Sequence, residues 1–204
     1  MAVVLSKLVA VIFPLVCPGC GQPAEPVCDA CAAGLRSAPL AGPPAGIDAW
    51  FAPLAYEGVA RELVARAKYR GAHAVDMWLA DRMVEGLSPP LPTAVTSVPT
   101  TRARRRARGF DHAALLAEQV ARRIHRPRLR LLHRDAGPPQ TGLAAAARRQ
   151  GPVIHARGSA PSDVLVVDDV ATTGTSLTAA AQALRAAGAT RVLAVTAART
   201  APPA

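Results

Sequence analysis

Apolar residues recur at helical spacing in some stretches of the chain and crowd into short unbroken runs in others, and the two patterns alternate. Val59, Leu63, Val64 and Ala67 lie on one helical face, as do Val75, Leu79 and Met83, so two successive helices are predicted. Ala94 to Val98 is a short strand ended by Pro99. Leu116, Val120 and Ile124 predict a helix over Asp111 to Ile124, with a strand at Leu129 to Leu132 after it. Ala145 to Arg149 is helix-prone but short, and Val153 to His155 is a candidate strand. Val164 to Val167 is continuously apolar, as a strand is when both faces of a parallel sheet are covered. Leu177, Ala181 and Leu184 define the next helix, Gly188 stops it, and Arg191 to Val195 supplies a last strand. With Trp50 to Tyr56 as an opening strand, the alternation predicts an α/β fold, a parallel sheet flanked by helices.

Proline and glycine divide the chain. Ser37 to Asp48 holds Pro39, Gly42, Pro43, Pro44 and Gly46 and reads as a linker (37–48) between residues 1–36 and a main domain at 49–200. Cys17-Pro-Gly-Cys20 and Cys28-Asp-Ala-Cys31 are two C-x-x-C pairs, spaced to wrap one tetrahedral Zn²⁺ with four thiolates. Two disulfides are the alternative, a pattern of secreted miniproteins, whereas the rest of this chain is free of cysteine and reads as an intracellular enzyme. With all four ligands supplied by protein, such a zinc would be structural. Val3 to Val16 is mostly apolar, but Lys7 lies inside it and Pro14-Leu-Val lacks the small residues of a cleavage site. Fourteen residues are also too few to span a bilayer, so a short amphipathic helix is expected there, without stable membrane insertion.

Composition sharpens two points. Half of the 204 residues are apolar yet only seven are aromatic, so the core must pack on Ala, Val and Leu with closely spaced elements. The net charge of +10 comes from arginine, since Lys7 and Lys68 are the only lysines among 24 basic residues. Arginine suits a bidentate grip on phosphate.

The chemistry concentrates after the Val164 to Val167 strand. Asp168 and Asp169 are predicted at its carboxyl end, where open α/β sheets bind ligands. The turn Ala171 to Ser176 then offers backbone N–H groups and the Thr172, Thr173 and Thr175 hydroxyls just before a helix, a site for an anion. Gly174 would let the backbone approach that anion closely. Carboxylates repel a phosphate, so the pair would accept hydrogen bonds from neutral hydroxyls such as those of a ribose. An acidic pair can also merely end a strand or hold Mg²⁺, but neither alternative accounts for the Thr-Thr-Gly-Thr turn. No G-x-x-x-x-G-K-[ST] phosphate loop occurs.

An apolar run, two acids, two variable residues and Thr-Thr-Gly-Thr-Ser together resemble the phosphoribosyl pyrophosphate motif of type I phosphoribosyltransferases. Five arginines crowd between Arg102 and Arg108, after the Ala94 to Val98 strand and on the same sheet edge, and they read either as a pyrophosphate site or as a nucleic-acid patch. Lys68-Tyr-Arg-Gly71, Ser97-Val-Pro99, Arg105-Arg-Ala-Arg-Gly-Phe110, Gln140-Thr141 and the motif strand come in the order of ComF-type competence proteins, which also begin with a four-cysteine knuckle. The resemblance covers essentially the whole chain. It implies a type I phosphoribosyltransferase fold with a zinc knuckle, in a cytoplasmic protein of nucleotide metabolism or competence.

By that resemblance Asp168 and Asp169 are the catalytic pair, and Val170, Ala171, Thr172, Thr173, Gly174, Thr175 and Ser176 bind the substrate. Ser97, Val98, Pro99, Arg102 and Arg108 would receive pyrophosphate, and Arg134 with Gln140 to Arg149 resembles the mobile lid. Mg²⁺ bridging pyrophosphate and ribose hydroxyls would stabilise the leaving group. Asp111 and His112 depart from the family's usual Asn-Gln, although Asp111 can cap the helix that follows. No general base is legible: His73, His112, His125, His133 and His155 have no partner motif and are expected in surface or structural roles. The acceptor is unreadable, and type I relatives are often dimers. A second class of function is a phosphoribosyl-binding protein that handles DNA without catalysing transfer. The charge and knuckle favour it, and the scarcity of aromatic stacking residues opposes it.

Overall fold

The computed structural model describes residues 16–24, 26–70, 73–135 and 151–201. In chain order the elements are α1 (Asp29–Ala33), β1 (Ala49–Phe51), β2 (Leu54–Ala55), α2 (Gly58–Arg70), α3 (His73–Glu85), β3 (Ala94–Ser97), α4 (Arg102–Arg108), α5 (His112–Arg123), β4 (Leu132–Arg134), β5 (Ile154–Ala156), β6 (Asp163–Ala171), α6 (Thr175–Ala186) and β7 (Arg191–Arg199). The sheet runs β1-β7-β6-β3, with β2 continuing beside β7, and every pairing in it is parallel. β4 and β5 form a separate antiparallel pair.

The unbroken apolar run of β6 is explained by its two neighbours above and below. Leu165 and Val167 face a core built with α2, α3 and α5, through Leu63, Leu79, Met83, Leu116 and Val120. Val164 and Val166 face a second core with α6, through Leu177, Ala181 and Leu184. Alanines at the crossings, Ala117 and Ala121 on α5 and Ala180 and Ala181 on α6, let helices lie close to the strands in a chain poor in aromatics. Truncating one of the fully buried leucines to Ala would cost about 2–5 kcal/mol.

Three strand expectations change in detail. Trp50 to Tyr56 is two short strands, because Pro53 lacks the N–H that a continuous ladder needs. The Leu129 to Leu132 strand instead begins at Leu132 and pairs with β5, while Pro127 and Leu129 bond to Val95 alongside β3. The motif strand extends four residues beyond Val167 to Ala171, so Asp168 and Asp169 lie in its last turn of pleat rather than after it. The Arg102 to Arg108 run, which shows no apolar periodicity, is the helix α4: Thr101 caps it at one end and Gly109, with φ +81°, ends it at the other. Ala145 to Arg149 lies outside the described residues.

The linker is packed. Ile47 is buried in the second core, and the Asp48 carboxylate takes two hydrogen bonds of 2.8 Å from Arg185 on α6. Arg199, at the end of β7, is buried beneath it, with its guanidinium 4.7 Å from the Trp50 ring centre. Among the described residues no helix is long and apolar enough to cross a membrane.

Candidate functional site

β6 and β3 lie side by side and end on the same edge of the sheet, bringing the acidic pair with its threonine turn and the arginine run together. After β6 the chain turns through Thr172, Thr173 and Gly174 into α6. Gly174 has φ +72° and a Cβ there would meet Pro44 Cγ at 2.9 Å, so the linker as well as the backbone conformation requires glycine. Thr173 and Thr175 hydroxyls lie 3.1 Å apart and exposed, beside the N-terminal end of α6 with its unpaired N–H groups. Val170 packs against the first core and Ala171 is buried in the second, so both can offer a ligand backbone only.

The two carboxylates have different surroundings. Asp169 Oδ1 lies 3.0 Å from Lys68 Nζ on α2, and its Oδ2 lies 3.2 Å from His112 Nδ1 on α5. His112 Nε2 in turn lies 2.8 Å from Asp76 Oδ1 on α3. His112 and Asp76 are only 1% and 2% exposed. Burial opposes charge on Asp169, yet the His112 hydrogen bond and the Lys68 charge outweigh it and hold the carboxyl down to about 2. Asp168 is pushed up to about 8 by burial and by its anionic neighbour Asp169. Its Oδ1 accepts the Asp169 backbone N–H at 2.9 Å. Sequence reasoning placed His112 among scattered histidines; only the fold shows that it meets Asp76, 36 residues away in the chain, and Asp169, 57 residues away.

At the end of β3 a cavity of about 430 Å³ opens, lined by Ser97, Pro99, Arg102, Arg105, Arg134 and Arg157 among others. Arg134, on β4, lies within electrostatic range of both Arg104 and Asp168, so the β4–β5 pair reaches over towards the motif strand. Burial and the charge of Arg104 lower its pKa. Val98 turns its side chain into the second core and gives its N–H to Val167. Arg108 is absent from the cavity lining. Asp111 caps α5 as expected and also accepts the Thr100 N–H, tying the loop after β3 to that helix. Gln140 to Arg149 lies outside the described residues.

The four cysteine sulfurs lie within 4.8 Å of one another, positioned to bind a metal. Gly19 is required there, since a Cβ would come within 2.7 Å of Cys31 Sγ. Burial opposes charge on Cys17, but the N–H groups of Cys28, Cys20 and Gly19 bring its thiol down to about 6. Cys31 is pushed up to about 12 by burial and by the neighbouring thiols. This set of soft sulfur donors fits Zn²⁺. No other described group of three or more His, Cys, Asp or Glu converges in this way.

Residues 112–202 match the family model of the phosphoribosyl transferase domain. The match contains β6, its turn and α6 but begins after β3 and α4. The α/β architecture is that of the phosphoribosyltransferase fold. Among solved structures, the allosteric regulatory enzyme of purine biosynthesis is 25% identical with a TM-score of 0.45, over 62% of this chain and 26% of its own. Glutamine phosphoribosylpyrophosphate amidotransferase from B. subtilis, complexed with ADP and GMP, is 22% identical with a TM-score of 0.45, over 65% and 27%. Orotate phosphoribosyltransferase from Aeropyrum pernix is 22% identical with a TM-score of 0.37, over 67% and 62%. The chain thus spans about a quarter of the length of the first two. No curated protein matches the sequence.

Proposed function

We propose that the protein binds phosphoribosyl pyrophosphate together with Mg²⁺ and displaces pyrophosphate at the anomeric carbon, as a ComF-type phosphoribosyltransferase of the cytoplasm. The observation that carries this reading is the juxtaposition of the Asp-Asp-x-x-Thr-Thr-Gly-Thr-Ser turn on β6 with the arginine-lined cavity on β3. The turn Thr172 to Ser176 would hold the 5′-phosphate, Asp168 the ribose hydroxyls, and Arg102, Arg105 and Arg134 the pyrophosphate. With both oxygens of Asp169 and one of Asp168 engaged by protein, the carboxylate pair makes no cage for a cation. Mg²⁺ would be held by the substrate's own phosphate and hydroxyl oxygens, where it would neutralise charge on the leaving group. The knuckle would hold a structural Zn²⁺ through Cys17, Cys20, Cys28 and Cys31.

Calorimetric titration of the zinc-loaded protein with phosphoribosyl pyrophosphate and Mg²⁺ tests the reading. Binding by the wild type that Asp168→Asn loses supports it; no binding by the wild type contradicts it. One observation favours a second reading, a phosphoribosyl-binding protein that handles DNA: the arginines Arg102 to Arg106 of α4 are all exposed. Single-stranded DNA affinity that falls steeply with salt and is indifferent to Asp168→Asn, in a protein that releases no pyrophosphate with any acceptor, would favour it.

A further inference from the structure

We propose that His112 divides the work between the two adjacent carboxylates: bridged to Asp76 and Asp169, it keeps Asp169 as a fixed inward-held anion, leaving Asp168 alone to accept hydrogen bonds from the ligand's hydroxyls. This refinement rests on the phosphoribosyl pyrophosphate reading above, and it gives His112 a positioning role without contact to substrate.

With both carboxylates ionised, the geometry calls for one protonation state of the ring. Both ring nitrogens of His112 face carboxylate oxygens, at 2.8 Å from Asp76 and 3.2 Å from Asp169. A neutral imidazole has one donor and one acceptor nitrogen, so it would set a lone pair against one of the two anions. The imidazolium donates to both. At 1% exposure no bulk water can stand in for a missing donor. The charges around the ring come from every element packed on it: Asp76 from α3, Lys68 through Asp169 from α2, Asp168 and Asp169 from β6, and Asp111 at the start of its own helix. Asp111 is occupied by the Ala114 and Thr100 N–H groups. Burial works against the charge on His112, and the hydrogen bonds to Asp169 and Asp76 more than offset it, so its pKa is raised.

The consequence is an asymmetric pair. Lys68 takes one oxygen of Asp169 and His112 the other, so Asp169 has no oxygen left unengaged. Asp168 Oδ1 accepts a backbone N–H, and among the described residues no donor meets its Oδ2. That oxygen is the acceptor the site presents to a sugar hydroxyl. A glutamine at this position could not replace His112 between Asp76 and Asp169, because its amide donates from one end and presents a carbonyl oxygen at the other.

Two measurements on the full-length zinc-loaded protein test the proposal. Nitrogen NMR of histidine-labelled protein, with His112→Gln to assign the signal, reads the ring directly: both nitrogens should carry protons at pH 7. Calorimetric titration with phosphoribosyl pyrophosphate and Mg²⁺ from pH 7 to 9.5 reads the consequence. Wild-type affinity should fall at least fivefold as the His112 signal titrates, and His112→Gln should bind at least fivefold more weakly at pH 7 and lack that limb, keeping only the opposite rise as Asp168 ionises near a pH of about 8. Asp76→Asn removes one anion and keeps a hydrogen-bonding partner, so the limb should move to lower pH; this variant serves if His112→Gln fails to fold. A neutral His112 at pH 7, or variants whose binding profiles overlay the wild type, would overturn the proposal. Failure of the wild type to bind at any pH sinks the transferase reading and the role of Asp168 with it, whereas the protonation of His112 is still read by NMR.

Discussion

The carboxyl ends of β6 and β3 adjoin in one sheet and carry charge in opposite ways. At the end of β6 the charges are largely buried and matched: Asp76, His112, Asp169 and Lys68 form an alternating series closed by short contacts. At the end of β3 the arginines outnumber the carboxylates, and Arg102 to Arg106 on α4 are exposed. A largely buried, charge-matched network holds a geometry at the expense of desolvation, while exposed arginines exert a long-range field that salt screens. A neutral sugar needs the first kind of site and a mobile polyanion the second.

Removing one member of the buried series should have the largest effect. His112→Ala leaves two carboxylates facing a void, and the expected loss of stability is about 3–5 kcal/mol, read by urea unfolding. Next comes Asp168→Asn, which should weaken phosphoribosyl pyrophosphate binding by roughly 10–100-fold when measured above a pH of about 8, where the carboxyl is ionised, the equivalent of about 1.5–3 kcal/mol for a hydrogen bond to a charged group. The same substitution should not lower the melting temperature, because a carboxyl pushed up to about 8 resists ionising in the fold. Gly174→Ala should cost about 1–2 kcal/mol from its positive φ alone, with a further penalty if Pro44 cannot move. Arg102→Ala or Arg105→Ala should have the smallest effect: a several-fold loss of pyrophosphate affinity at low salt that shrinks at high salt, with no change in stability.

Acid–base behaviour separates the two strand ends as well. The His112 pKa is raised in the fold, so its contribution to stability is complete below about 6.5, the free imidazole value, and is lost as pH rises through the folded value. The Asp168 pKa is also raised, from 3.8 to about 8, so the fold prefers its protonated form and loses that advantage as pH rises between those values. Both act in the same direction. Melting temperature should decline from pH 6 to pH 9, and Asp168→Asn should flatten part of that decline.

Local patterns made the scaffold legible. Val164 to Val167 could be read as a doubly covered strand because burial on both faces leaves no polar position in the run. The turn was legible for a related reason: Thr172 to Ser176 is a contiguous segment whose chemistry needs no distant partner. His112 was not legible, since its meaning comes from Asp76 and Asp169, which reach it from α3 and β6 only after those elements pack. Lys68 is similar; its tetrapeptide supported the family resemblance but gave no hint of its contact with Asp169. The helix α4 was missed because five arginines in seven residues erase amphipathic periodicity, so Thr101 and Gly109 at its ends were the only local signals.

The most direct measurement is phosphorus NMR of bound phosphoribosyl pyrophosphate with Mg²⁺, comparing wild type, Thr173→Val and Arg102→Ala. The expected result is separation: Thr173→Val perturbs the 5′-phosphate signal and leaves the two pyrophosphate signals in place, and Arg102→Ala does the reverse. Both variants disturbing all three signals alike, or a wild type that shifts none, would contradict the assignment of sugar phosphate to β6 and pyrophosphate to β3.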